Sequence, residues 1–254
     1  MEVEENMRTC LFCSGRPSTK EDAWPLWLME RFPSASTARM FSERRGDQRA
    51  WSIGKPKLTI KWLCQLCNNG WMSRLESRTK PIVESILDDK LTTIDAAAQT
   101  TLGVWAVKTA MVLQALDPNL EWFYSEGERE QMRLSHSVPH HTSVWIAKCV
   151  NHKDIYSAAK NHTTDDGVLA FSVTMAFGFL AFQVVTVKPP KTVPAHVKVT
   201  YEVSDGPWDQ TLVPVWPVSE VARSWPGKHG LNGDVGLNAL TERLTPSASP
   251  AKAD

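Results

Sequence analysis

Four of the five cysteines fall in two pairs of one spacing, Cys10-x-x-Cys13 and Cys64-x-x-Cys67, with 50 residues between the pairs. Two residues between thiolates let both sulfurs of a pair face one tetrahedral ion at about 2.3 Å. Two such pairs form a closed set of four sulfur ligands and leave no open position for a substrate, so the ion expected on Cys10, Cys13, Cys64 and Cys67 is a structural Zn²⁺. A 50-residue spacer exceeds that of short fingers, so a folded insert must bring the pairs together. Gly15 relieves the tight turn after the second thiolate. Cys149 stands alone in an apolar, strand-like stretch and reads as a buried core thiol.

The start of the chain, Met-Glu-Val-Glu-Glu, is acidic and lacks the basic residues and apolar run of a secretory leader. A cytoplasmic setting with reduced thiols is therefore expected, which favours metal ligation over disulfides. Formal charge is zero over the whole chain but uneven along it. Residues 7–80 hold 14 Lys and Arg against 6 Asp and Glu, and residues 81–254 hold 14 against 19. A basic first third suits a polyanionic partner.

The residues around the cysteines add a resemblance. Cys10-x-x-Cys13, then Glu21-Asp22-Ala23-Trp24-Pro25, then Cys64-x-x-Cys67 running into Asn68, Asn69, Gly70 and Trp71, resembles the zinc-containing HNH endonucleases over roughly residues 8–80. The resemblance implies a treble-clef or ββα-metal module, in which a strand pair and a helix grip one divalent catalytic ion beside a separate structural zinc. By position, Glu21 corresponds to the acidic ligand and Asn68 to the distal ligand, with Mg²⁺ or Mn²⁺ as the hard cation and DNA as substrate. Asp22 stands where that family carries its general-base His, and no His precedes His136.

Two functions follow, beside a third possibility in which the zinc module only stabilises the N-terminus and function lies in the C-terminal two-thirds. In one, Asp22 serves as a weaker base or a second ligand, since a bound cation already lowers the pKa of water. In the other, catalysis is lost and the module grips nucleic acid or a protein partner. Lys20, Arg44, Arg45, Arg49 and Arg74 are the candidates for phosphate contact. Asn68 and Asn69 can equally cap the helix after Cys67, and Glu21 and Asp22 can equally be solvated charges near a helix start. Trp71 reads as packed on the zinc module. His136, His140, His141, His152 and His162 match no metal spacing and read as surface residues.

The elements that must position these groups give an α+β protein. Trp24 to Phe32 predicts a short helix with Pro25 at its first position. Residues 33–57 read as a long basic loop, and Leu58 to Trp62 alternates as a strand running into the second cysteine pair. Met72 to Leu87 is helical in pattern, with a break or kink expected before Pro81. Gln99 to Leu116 carries one apolar stripe, and Glu126 to Leu134 reads as an exposed helix. Strands are expected at Ser143–Val150, Leu169–Phe177, Phe179–Val187, His196–Val203 and Thr211–Val215.

Val168 to Val187 is 20 residues without a charge, long enough for a bilayer. Its Ser172, Thr174, Gln183 and Thr186, with Gly178 near the middle, favour two buried strands joined by a turn. The division expected is a zinc module over 8–90, a helical and antiparallel-sheet domain over 91–244, and a disordered Ser/Pro/Ala-rich tail over 245–254.

Overall fold

The computed structural model describes residues 9–32, 37–44, 47–54, 59–116, 122–152, 154–163, 167–189 and 199–248. In chain order the first elements are β1 (Thr19–Asp22), α1 (Leu26–Arg31), β2 (Thr37–Arg44), β3 (Asp47–Gly54), β4 (Thr59–Leu63) and α2 (Ser73–Leu87). Next come β5 (Thr93–Ile94), α3 (Ala96–Leu116), α4 (Glu126–Ser135), β6 (Thr142–Val150), β7 (Ile155–Thr163), β8 (Leu169–Phe177) and β9 (Leu180–Lys188). The last are β10 (Val199–Val203), α5 (Trp208–Thr211), β11 (Leu212–Trp216), β12 (Arg223–Ser224), β13 (Leu231–Asn232), α6 (Gly233–Glu242) and β14 (Leu244–Ala248). The protein is thus mixed α+β.

The uncharged stretch forms the centre of an eight-stranded sheet ordered β11-β6-β9-β8-β7-β2-β3, with β13 laid parallel on the end of β6. β8 and β9 are buried on both faces, which is why they carry no charge between Leu169 and Val187. Val144, Ile146, Val173, Met175, Phe182 and Val184 turn to one face, against α3 and the N-terminal module. Ala147, Tyr156, Ala158, Ala176 and Ala181 turn to the other, where α6 packs with Leu237 and Leu240. Gly178 turns the hairpin at φ +54°, a conformation that L side chains avoid. A Cβ there would also lie 2.5 Å from the Phe32 ring. No helix among the described residues is long and apolar enough to cross a membrane.

Several expectations are corrected. Residues 37–44 and 47–54, expected as loop, are paired antiparallel strands. Of these, β2 also pairs in parallel with β7, and β3 lies at the sheet edge, where few apolar residues are needed. Met40 reaches the main core and the Phe41 ring lies against Tyr156. The β2–β7 ladder therefore joins residues on either side of position 90, and one apolar cluster runs from Cys10 through α3 to Val215.

α3 is buried all round between Leu102 and Ala115 instead of presenting a single stripe, because the sheet and α2 both pack on it. α2 continues through Pro81; the irregular residue is Gly70 (φ −95°, ψ −105°), in the wide turn Cys67–Met72 ahead of it. Pro25 is the residue before α1, not its first. α4 has a capping box between Ser125 and Glu128, and it buries Arg129 and Met132, so it is not a free surface helix. Residues 245–248 of the supposed tail are strand, because β14 pairs antiparallel with β10; 249–254 lie outside the described residues. Among the histidines, His152 is buried with its Nδ1 3.2 Å from Asp234 Oδ1. Burial holds His162 below the usual imidazole pKa.

Candidate metal centre and the adjoining carboxylates

The ligand atoms of Cys10, Cys13, Cys64 and Cys67 all lie within 4.8 Å of one another. Cys13 Sγ is 3.6 Å from both Cys64 Sγ and Cys67 Sγ. Four sulfurs at about 2.3 Å around a tetrahedral ion stand about 3.8 Å apart, so the observed spacing fits that arrangement. Local backbone explains the convergence. Cys10 N–H donates to Gly15 O at 2.8 Å and closes the first turn, while Leu11 N–H donates to Trp62 O and hooks it to β4. The Gly15 and Cys64 amides donate to sulfur, each at 3.4 Å. A Cβ on Gly15 would sit 3.3 Å from Cys13 Sγ and 3.6 Å from Cys64 Sγ, so glycine leaves room for the sulfurs.

Thiol chemistry agrees. The hydrogen bond with Cys67 holds the Cys10 thiol down to about 4, helped by backbone N–H groups of Cys64 and Phe12. Its partner Cys67 is pushed up by the same bond. Burial pushes Cys13 up as well. Such a set traps protons among close sulfurs, and a bound cation takes the protons' place. The four cysteines can therefore hold a metal ion such as zinc. Cys149 is apart from them, buried in the face under α6, with its thiol pushed up to about 11 by burial.

The first cysteine pair is also held from outside. Arg129 Nε donates to Leu11 O at 2.7 Å and its Nη1 to Tyr124 O, while Arg133 Nε donates to Phe12 O at 3.1 Å. Trp71 is buried edge-on to Phe12, 5.0 Å between ring centres, as expected for a packing residue.

Asn68 directly follows Cys67, and Glu21 and Asp22 lie on β1 opposite Ile60 and Thr59 of β4. β1 and β4 pair antiparallel, with an irregularity between Thr19 and Glu21. The Asn68 amide donates to Thr19 Oγ1 (3.2 Å) and Lys20 O (3.1 Å), which ties the second cysteine pair to β1 rather than capping a helix. It also hydrogen-bonds Glu21. Asp22 accepts from Thr59 Oγ1 at 2.8 Å. Burial pushes the Glu21 carboxyl up to about 7; the nearby Lys108 ammonium opposes the rise, Glu76 and Asp22 add to it, and Asn68 opposes it.

Sequence reasoning missed Glu76 and Lys108. Lys108 Nζ lies 3.1 Å from Glu76 Oε1, with side chains 1% and 22% exposed. One signal was available: Lys108 is the single charged residue in α3, and a charge in an otherwise apolar helix requires a buried partner. Arg129 and Arg133 had no such signal, since both sit in a highly charged helix.

The phosphate-contact candidates do not share one place. Lys20 and Arg74 are exposed on the cysteine-bearing N-terminal segment. Arg49 lines a cavity with Phe41 and Tyr156 on the α6 face of the sheet. Arg45 and the side chain of Arg44 lie outside the described residues. Comparison with models of protein families, with curated proteins and with solved structures found no match.

Proposed function

We propose that this chain is a metal-dependent HNH-type endonuclease that hydrolyses phosphodiester bonds of DNA in the cytoplasm, built on a treble-clef scaffold held by Zn²⁺ on Cys10, Cys13, Cys64 and Cys67. The observation that carries the reading is the grouping of Glu21, Asn68 and Glu76 around Lys108, with Asn68 directly following Cys67 in the chain. Two carboxylates face one ammonium there, and the Glu21 carboxyl, pushed up to about 7 by burial, ionises only against this surrounding. A second cation would favour its ionised form.

Glu21, with Glu76 or Asp22, would hold Mg²⁺ or Mn²⁺ through hard oxygen ligands. The ion would neutralise charge at the phosphate and lower the pKa of the attacking water. Asn68 fixes the Glu21 carboxylate against β1. Asp22, anchored by Thr59, is the carboxylate that takes the proton from water where the family's His would. Lys20 and Arg74 meet backbone phosphates.

A second reading, nucleic-acid or protein binding without cleavage, draws on the ion pair already formed between Glu76 and Lys108 and on Asp22 in the His position. Plasmid and single-strand cleavage by zinc-replete protein separates the two, run with Mg²⁺, with Mn²⁺ and with no added ion, beside Glu21→Ala/Asp22→Ala. Ion-dependent cutting that disappears in the double variant supports the nuclease. Folded protein that cuts with neither ion, yet binds DNA with steep salt dependence, supports the binding module. Binding indifferent to salt would point to a protein partner.

A further inference from the structure

The α6 face of the sheet holds a cavity of about 340 Å³ that the reading above does not use. Ligand sites fall between about 300 and 1,000 Å³, so this one suits a small ligand. α6 packs over β6, β8 and β9, and the neighbouring strands β7, β2 and β3 continue past it to the sheet edge. The alanines that admit the helix, Ala147, Ala176 and Ala181, are joined on this face by Ala158, which lines the cavity.

Phe41 and Tyr156 contribute rings 5.5 Å apart and tilted by 38°. Tyr156 is fixed in place, its hydroxyl donating to Asn238 Oδ1 at 2.9 Å and lying 3.2 Å from Thr241 Oγ1. The charged lining is balanced. Lys160 Nζ pairs with Glu43 Oε2 at 2.8 Å and also with Glu242, and Arg49 makes the second positive charge.

We propose that this cavity binds a nucleobase, presented as a nucleoside. An aromatic wall favours a planar ring, because every base has a face that stacks. Among the described residues, two carboxylates and two cations leave the lining without net charge, so an ionic ligand would meet as much repulsion as attraction. A neutral ring with donors along one edge and acceptors along another meets both signs. The carboxylates accept from its amino or imino groups, and Arg49 and Lys160 donate to its carbonyl or ring nitrogen. None of the lining belongs to the Glu21 cluster, so the site stands or falls apart from the cleavage reading.

The test is calorimetric titration of zinc-replete full chain with adenosine, guanosine, cytidine and uridine, beside a zwitterionic amino acid and inorganic phosphate. Ala50→Phe, which places a ring in the cavity mouth, and Asn238→Ala are titrated in parallel; both positions are exposed, and thermal unfolding checks that each variant is folded. At least one nucleoside should bind with a Kd below about 1 mM, weakened about tenfold or more by Ala50→Phe. The proposal is overturned if folded wild-type protein binds no nucleoside, if both variants bind as wild type does, or if the amino acid or phosphate is preferred.

Discussion

Replacing Glu21 with Gln should make the protein more stable at neutral pH. The native carboxyl is pushed from 4.5 up to about 7 by burial. Between those values the folded chain holds a proton that the unfolded chain has lost. Stability of the wild type therefore falls as pH rises from 4.5 to about 7, and levels off above. At 1.36 kcal/mol per pH unit the full span amounts to about 3 kcal/mol. Glu21→Gln keeps an uncharged, hydrogen-bonding side chain and escapes this loss. The variant should exceed wild type by about 1 kcal/mol at pH 5.5 and about 3 kcal/mol at pH 8. In a chain of this size that gap is about 6–10 °C in Tm.

Urea unfolding and scanning calorimetry of both zinc-replete proteins across this range measure the gap directly. Protonation of the four clustered thiols is common to both proteins and cancels in the difference. Mn²⁺ should narrow the gap by favouring the ionised form of the wild type. A variant less stable than wild type at pH 8, or a gap that does not change with pH, would refute the account of Glu21 as a carboxyl ionised against its surroundings.

Cys64→Ser removes one of four sulfur ligands, and structural zinc contributes on the order of 10 kcal/mol to small modules. Metal analysis should show zinc below one equivalent, with loss of cooperative melting. Arg129→Ala strips donors from the carbonyls of Leu11 and Tyr124 and should cost about 3 kcal/mol in urea unfolding; it should also speed zinc release to a chromogenic chelator. Gly178→Ala forces a Cβ to 2.5 Å from Phe32 at φ +54°. It should cost about 2 kcal/mol or more by the same unfolding assay, with a smaller cost when Phe32 is also shortened to Ala.

The four-cysteine cluster was legible because metal ligation demands a fixed residue type at a fixed spacing, and Cys10-x-x-Cys13 with Cys64-x-x-Cys67 leaves few other readings. The central hairpin of Leu169 to Lys188 was legible for a related reason: burial on both faces excludes charge, and a turn needed Gly178. Edge elements were not. β2 reads Thr-Ala-Arg-Met-Phe-Ser-Glu-Arg and is strand because β7 offers it a ladder, which no local pattern announces. β7 itself hides behind Ser157, Ala158, Ala159 and Lys160, a run of small residues ending in a lysine that is buried by its pair with Glu43. In the site, Glu21 and Asn68 could be named by position. Lys108 carried a signal as the lone charge of α3, but its partner Glu76 did not, since the two residues lie on different helices and 32 positions apart.

The parallel pairing of β2 with β7 limits how the protein can be assembled and re-used. The stretch between the two cysteine pairs holds a hairpin whose only partner strand, among the described residues, lies more than a hundred positions later in the chain. During synthesis the second cysteine pair emerges well before β7, so zinc can close the knuckles while β2 still lacks its neighbour. The insert must wait as an open sheet edge, prone to wrong pairing, until the C-terminal half arrives. For the same reason a graft that includes β2 but not β7 would carry an unmatched strand with it.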